Sequence, residues 1–240
     1  MSTRSGSQEI WLSNADGSNP RQLTSMGAAA ASPRWSPDGA TILFHSRLKG
    51  SADLYVVGAQ GGSPRPLTDQ PSAEGEARWS RDGRWIYFAS DRTGRSEVWR
   101  IPAGGGEATQ VTRNGGECAF ESPDGRWLYY SKDNGPRIDL WKAPVAGGAE
   151  TRVLENLSYG YDYAVTNRGV YFVRAGPANI WPAADTALEY LDFATGKIKL
   201  LVPKILGWSL GLTLSPDGRS LLYSQTDAFG ADLILVENFH

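Results

Sequence analysis

A four-residue signature recurs five times along this chain of 240 residues. Ser36-Pro37-Asp38-Gly39 returns as Ser80-Arg81-Asp82-Gly83, as Ser122-Pro123-Asp124-Gly125, as a worn Thr166-Asn167-Arg168-Gly169 and as Ser215-Pro216-Asp217-Gly218, at spacings of 44, 42, 44 and 49 residues. A fixed period of this length marks an architecture of stacked supersecondary units, none of which can bury its apolar faces alone. Each tetrad reads as a tight turn. Proline presets φ at its second position, aspartate caps the local amides, and glycine takes the conformation that side chains resist.

What lies between the tetrads repeats as well. A short β-like run follows each one, at residues 41–46, 85–90, 127–131, 170–174 and 220–224. After a polar loop comes a second run headed by an acid, Asp53, Glu97, Asp139, Glu189 or Asp232. A glycine-rich turn follows in most copies (Gly61-Gly62, Gly104 to Gly106, Gly147-Gly148), then a third run such as 65–68 or 109–112, and a fourth such as 33–35 or 77–79 leads into the next tetrad. Helical periodicity is absent, and 28 glycines and 14 prolines leave little room for long helices. Four short strands per repeat of some 42–44 residues predict an all-β fold, a β-propeller of four-stranded antiparallel blades.

The run Ser122-Pro-Asp-Gly-Arg-Trp-Leu-Tyr-Tyr-Ser, followed by Asp139-Leu-Trp and a Gly-Gly turn, resembles the WD-like repeat of TolB-type propellers. The resemblance extends over nearly the whole chain and implies a single TolB-like propeller domain over residues 1–240. Its blade repeats lie near 1–35, 36–79, 80–121, 122–165, 166–214 and 215–240. The fourth tetrad departs most, with Asn167 and Arg168 in place of Pro and Asp and an inflated loop at 175–187.

Labelling the strands of a blade A to D from the axis outward, with the tetrad between A and B, gives five copies each of A, B and D but six of C. The sixth is Glu9-Ile10-Trp11, whose approach from Ser2 aligns without a gap on Ser90 to Trp99. About six sectors are therefore expected, the first of them incomplete. Two readings account for this. The first blade's D strand closes the last blade, or the chain is the C-terminal portion of a longer protein that supplies the missing strands. The second is favoured, because a blade lacking its inner strand exposes edges that propellers otherwise protect.

Charge is close to balanced, 24 basic against 26 acidic side chains, so the domain carries no electrostatic footprint for nucleic acid and none is expected to bind it directly. Cys118 stands alone, which excludes an internal disulfide and a cysteine metal cluster. The first residues have no apolar core of the signal-peptide kind, and the greasiest stretch, 200–214, is interrupted by Pro203, Lys204 and glycines and is too short to span a bilayer. The compartment stays open: periplasmic if an upstream part is exported or membrane-anchored, cytoplasmic otherwise.

Catalytic motifs are weak. Gly207-Trp208-Ser209-Leu210-Gly211 matches the G-x-S-x-G pattern of a nucleophile elbow, but that motif acts at a strand-to-helix turn, and His45 and His240 are the only histidines. No catalytic residue, metal or cofactor is assigned. Asp133-Asn134 and Asn14, Asp16 and Asn19 offer oxygens without the EF-hand spacing, and the glycines at 104–106 lack the Lys-Ser/Thr of a phosphate loop. The acids heading the C runs (Glu9, Asp53, Glu97, Asp139, Glu189, Asp232) are expected to accept hydrogen bonds within the fold rather than to form a cation-attracting rim. The tetrad aspartates Asp38, Asp82, Asp124 and Asp217 are read as structural.

Tryptophan gives the best site. Seven of nine (Trp11, Trp35, Trp79, Trp85, Trp99, Trp127, Trp141) hold repeating strand positions and are expected to pack between blades. Trp181 and Trp208 fall outside the register in loops expected on one face, with Tyr159 and Tyr161 in a neighbouring loop and Arg92 and Arg174 nearby in the frame of the repeat. Off-register aromatics with arginine are what a recognition surface uses. The ending from Asp232 to His240 resembles the C-termini of bacterial proteins that join a winged-helix DNA-binding domain to a TolB-like propeller. That likeness implies a non-catalytic sensor or docking module for a protein or peptide partner, monomeric if the ring closes. The alternative is the gating propeller of a prolyl-oligopeptidase-type peptidase, with its hydrolase domain elsewhere.

Overall fold

A computed structural model describes residues 1–135, 137–176, 186–205, 208–215, 218–227 and 230–237. All regular structure among them is β, and it falls into two compact units, Met1–Phe120 and Glu121–His240.

In the first unit β1 (Trp11–Leu12) pairs antiparallel with β2 (Arg21–Gln22). A four-stranded antiparallel sheet follows in chain order: β3 (Ala30–Trp35), β4 (Thr41–Lys49), β5 (Ser51–Gly58) and β6 (Arg65–Pro66). A second repeats the order with β7 (Glu74–Trp79), β8 (Trp85–Ser90), β9 (Glu97–Pro102) and β10 (Thr109–Gln110). The core lies between sheets. Ile42, Phe44, Tyr55 and Val57 face Ile10, Leu23 and Ala30 on one side of the β4–β5 pair, while Leu43, Leu54 and Val56 face Ile86, Phe88 and Ile101 on the other. A strand covered on both faces has no solvent side to keep polar, which is why 41–46 and 85–90 read as continuous apolar runs.

The second unit begins within β11 (Glu117–Glu121). That strand heads a sheet with β12 (Trp127–Asp133), β13 (Ile138–Pro144) and β14 (Thr151–Leu157). The next four-strand set is β15 (Tyr163–Val165), β16 (Gly169–Arg174), β17 (Thr186–Asp192) and β18 (Ile198–Ile205). These two blades fuse into one sheet through a single residue pair, Leu157 opposite Arg174, because β14 runs seven residues where β2, β6 and β10 run two. A three-stranded sheet closes the order: β19 (Trp208–Leu214), β20 (Ser220–Asp227) and β21 (Gly230–Glu237). Val173, Leu188 and Ile205 meet Leu212, Leu221 and Tyr223 between the last two blades.

The tetrads are closed turns built alike. Ser36 Oγ donates to Asp38 Oδ1 at 2.5 Å and accepts from Thr41 N at 2.9 Å, and Asp38 Oδ1 also takes Ala40 N at 3.0 Å. Ser80/Asp82 and Ser122/Asp124 repeat the pattern, with Arg84 and Arg126 supplying the amide. Gly39, Gly83 and Gly125 sit at φ 68–69°, the left-handed region that glycine enters without strain. Asp217 lies outside the described residues, although Ser215 Oγ accepts Ser220 N at 2.9 Å as its counterparts do.

Two features depart from the sequence expectations. The third runs, expected over 65–68 and 109–112, pair as strands for only two residues, because a threonine hydroxyl takes over from the main chain as acceptor: Leu54 N donates to Thr68 Oγ1 and Val98 N to Thr112 Oγ1. Trp35, expected between blades, is 54% exposed. Its counterpart Trp79 donates its indole N–H to Arg34 O at 3.2 Å on the preceding blade, whereas the sheet preceding Trp35 has only the two strands β1 and β2.

Candidate functional site

The acids heading the C strands are the first candidates for chemistry, and five of the six are described. In the first unit each is clamped by a threonine fifteen residues on. Thr24 Oγ1 donates to Glu9 at 2.6 Å, Thr68 Oγ1 to Asp53 at 3.1 Å and Thr112 Oγ1 to Glu97 at 2.6 Å. The same hydroxyl accepts the amide of the residue after the acid, and loop amides complete the cradle: Met26 and Gly27 on Glu9, Gln70 on Asp53, Gly115 on Glu97. Burial pushes Glu9 up, but the bonds from Thr24, Met26, Gly27 and Ser7 outweigh it and hold the carboxyl below its usual range. In the second unit Asp139 receives Asn134 and Asn156, and Glu189 receives Arg174 Nε at 2.7 Å. The Asp232 carboxylate lies outside the described part of the structure. The threonine partners Thr24, Thr68 and Thr112 were not singled out from the sequence, although they recur at intervals of 44 residues.

The aromatic cluster is placed in part. Tyr159 and Tyr161 lie in the loop before β15 with ring centroids 5.0 Å apart, and Tyr159 is 41% exposed. Trp208 opens β19, but its indole, like all of Trp181, lies outside what is described. Arg174 is committed to Glu189 and to the Glu155 carbonyl. Arg92 belongs to the first unit, where it donates to Glu74 at 2.8 Å and stacks 4.5 Å from the Trp99 ring centroid. That stacking is a feature of the repeat, since Arg4 covers Trp11 at 5.3 Å and Lys132 covers Trp141 at 4.4 Å. The two arginines therefore serve ion pairs inside their own units.

Ser209 falls inside β19 rather than at a strand-to-helix turn, and His45 lies within β4. Burial, then Arg47 and Arg34, push His45 down. Among the described residues no three His, Cys, Asp or Glu side chains gather so that they could hold a metal.

One further group was missed. In the second unit the Lys142 ammonium lies 4.5 Å from the Trp127 ring centroid, 5.9 Å from Tyr129 and 5.8 Å from Phe193. Lys142 stands three residues after Asp139, and Phe193 follows the acid-led run of the next blade, so no local pattern joins them.

Two tetrad carboxyls are held well below the usual carboxylate range. Hydrogen bonds from Arg84 N, Ser80 and the Arg84 side chain hold Asp82 at about 2, and Ser122, Arg126 N and the Arg126 side chain hold Asp124 at about 2. Both folded values lie below the ordinary 3.8, so the folded state binds fewer protons than the unfolded one in that interval. Their contribution is complete above pH 4 and is lost as pH falls through 2. Thermal scans should show the melting temperature dropping between pH 4 and pH 2, less steeply in Asp82→Asn/Asp124→Asn. A double variant with the wild-type slope would assign that drop to other groups.

Comparison with known proteins gives the same architecture. Residues 1–121 match the family described as TolB beta propeller domain. No curated protein matches the sequence. Among solved structures the chain is similar to TolB from Acinetobacter baumannii (20% identity, TM-score 0.78, covering 95% of this chain and 57% of that one). It is similar to the putative TolB from Agrobacterium tumefaciens (23%, TM-score 0.66, 80% and 73%) and to a puromycin-hydrolyzing peptidase of Mycobacterium tuberculosis (18%, TM-score 0.63, 91% and 38%). The chain thus spans a little over half the length of the Acinetobacter protein, and identities this low speak for the fold alone.

Proposed function

Because the chain belongs to the TolB beta propeller domain family, we propose that it is a non-catalytic recognition module, the C-terminal sensor or docking part of a larger bacterial regulator that takes a protein or peptide partner. The observation that carries this reading is the Tyr159–Tyr161 pair, which projects aromatic surface from a loop outside the repeat frame. Fold alone does not name a function, so the reading rests on this site and on the regulator-like C-terminus. Exposed aromatics give large contact area at little cost in side-chain entropy, which suits them to partner recognition.

The gating-propeller alternative draws on the likeness to a puromycin-hydrolyzing peptidase. The reading frame around this segment separates the two. A winged-helix domain encoded upstream is expected, and a hydrolase domain encoded downstream would overturn the regulator reading. For the site itself, a photo-crosslinker at Tyr159 in the full-length protein should capture one defined partner. Tyr159→Ala/Tyr161→Ala should weaken that partner's binding about tenfold or more, while unchanged affinity would remove these tyrosines from the interface.

A further inference from the structure

The second unit holds a cleft of about 240 Å³ between two neighbouring blades, at the tetrad end of its strands. Its walls include Trp127, Tyr129 and Phe193, and Lys142 reaches in among them. The Lys142 ammonium makes no hydrogen bond or ion pair with any described residue and is met only by ring faces. The one carboxylate of the cleft, Asp124, is already held by Ser122 Oγ at 2.6 Å, Arg126 N at 3.1 Å and Arg126 Nε at 2.7 Å. The cleft therefore carries a positive charge with no anion assigned to it. Phe193, 37% exposed, offers a flat apolar wall beside that charge.

The fold supplies its own control. In the first unit the corresponding cleft, about 310 Å³, has Thr41 where Trp127 stands, Val56 where Lys142 stands and Ala103 where Phe193 stands. It also contains two carboxylates, Asp38 and Asp82, against one cation, Arg65. Blade packing and the tetrad turn thus form without the lysine and without the aromatic box. The cation–tryptophan pair alone recurs once more, as Arg100 4.6 Å from Trp85. Fold maintenance accounts for that pair, whose Arg100 Nε is likewise buried without a hydrogen-bond partner among the described residues, so the Phe193 wall beside the cation is what sets the second-unit cleft apart.

We propose that this second-unit cleft is a binding site for a carboxylate carried on a flat apolar group. The carboxylate would take the free N–H donors of Lys142, and the apolar body would lie against Phe193 and Trp127. An ammonium held against ring faces keeps its donors available, and a charge-assisted hydrogen bond to it is among the stronger polar contacts. The volume falls below the range of about 300–1,000 Å³ for drug-sized sites, so it suits one side chain or a small acid. The site is separate from the Tyr159–Tyr161 loop, which lies at the other end of β15.

The test is calorimetric titration of the 240-residue chain with phenylacetate, with acetyl-Phe-Glu-amide, and with acetate as the charge-only control. Either aromatic probe should bind in roughly the millimolar range and more tightly than acetate. Tighter binding of the dipeptide assigns the site to an acidic peptide segment, and tighter binding of phenylacetate to a free acid. Lys142→Met, which keeps the stem and removes the charge, should weaken binding about tenfold or more, while Lys142→Arg should retain it. Phe193→Ser, at an exposed position, should weaken the aromatic probes and leave acetate unaffected. Absence of binding by every probe at about 10 mM, or equal binding by Lys142→Met in a chain with an unchanged melt, overturns the proposal. The tyrosine variants above read out the regulator proposal independently.

Discussion

Gly169→Ala is expected to destabilise the second unit by about 3 kcal/mol or more and to lower its melting temperature by roughly 10 °C. Gly169 opens β16 opposite Asp192 and has an ordinary φ, so backbone preference does not require glycine there. Space does. A Cβ at this position would overlap the Leu191 carbonyl oxygen and come within 2.5 Å of the Tyr190 ring. The oxygen belongs to a paired strand, and the Tyr190 ring lies 4.5 Å from that of Tyr171, so neither can retreat cheaply. The cause lies in the worn tetrad. Thr166 bonds directly to Gly169, through N–H to O at 2.8 Å and through Oγ1 from Gly169 N at 2.9 Å, so this turn closes two residues sooner than the others and brings the strand start against its neighbour. Gly125 is the matched comparison. Nothing lies within 4 Å of its would-be Cβ, and alanine there should cost only the left-handed backbone term of about 1–2 kcal/mol. Scanning calorimetry of the two variants should rank Gly169→Ala well below Gly125→Ala, and equal losses would mean that the β16–β17 pair opens to admit a methyl group.

The intact tetrads announce themselves, because serine, aspartate and glycine each have a separate job within five residues of chain. The acids Asp53, Glu97 and Asp139 were equally visible and sit opposite residues near the end of the preceding strand, whereas Glu189, expected to head its strand, is the fourth residue of β17 and lies opposite Phe172. The threonines that clamp the first-unit acids were not recognised, since a Leu-Thr or Val-Thr pair looks like any strand end until its hydroxyl is seen to replace a ladder carbonyl. Harder still were the left-handed residues of the A strands. Ser32, Glu76 and Cys118, all four positions before a tetrad serine, have φ near 50°, and the register shifts within β3 and β7 at that point. Three unlike side chains share one conformation because a bulge in the strand pair imposes it, and only Gly211, at the same place in the last blade, carries the expected residue type. Glu76 is pushed up by burial, against the pull of Arg34, a result of that placement with no local sequence signal. For the candidate sites, off-register aromatics flagged Tyr159 and Tyr161, whereas Arg92 and Arg174 turned out to be engaged within their units. Lys142 and Phe193 come from different blades and meet only through the packing of blade on blade.

Thr112→Val should cost the first unit about 2–4 kcal/mol, although the two side chains have nearly the same shape. Thr112 is 5% exposed, and its hydroxyl makes two bonds at once: it donates to Glu97 Oε2 at 2.6 Å and accepts Val98 N at 2.8 Å. Valine takes the hydroxyl acceptor from the Val98 amide and one short donor from the Glu97 carboxylate, in a site too enclosed for water to replace either freely. Thr112→Ser restores both bonds and should recover most of the loss, which separates the hydroxyl from the methyl. Glu97 keeps Gly115 N at 3.0 Å and Arg95 Nε at 2.6 Å, so the cradle is weakened rather than abolished. A double-mutant cycle with Glu97→Ala then measures the coupling, and the combined loss should be smaller than the two separate losses added together, because the second substitution removes a group the first has already deprived of a donor. Additive losses would mean that Thr112 and Glu97 act separately, with the amides of the following loop carrying the carboxylate. The second unit is a natural version of the same substitution: Leu154 stands fifteen residues after Asp139, and there the acid turns instead to Asn134, Asn156 and, at 3.6 Å, Arg152. Losing the clamp is thus compatible with a blade where other donors hold the acid, and beside Glu97 the donors already in place, Gly115 N and Arg95 Nε, set how much of the loss is recovered.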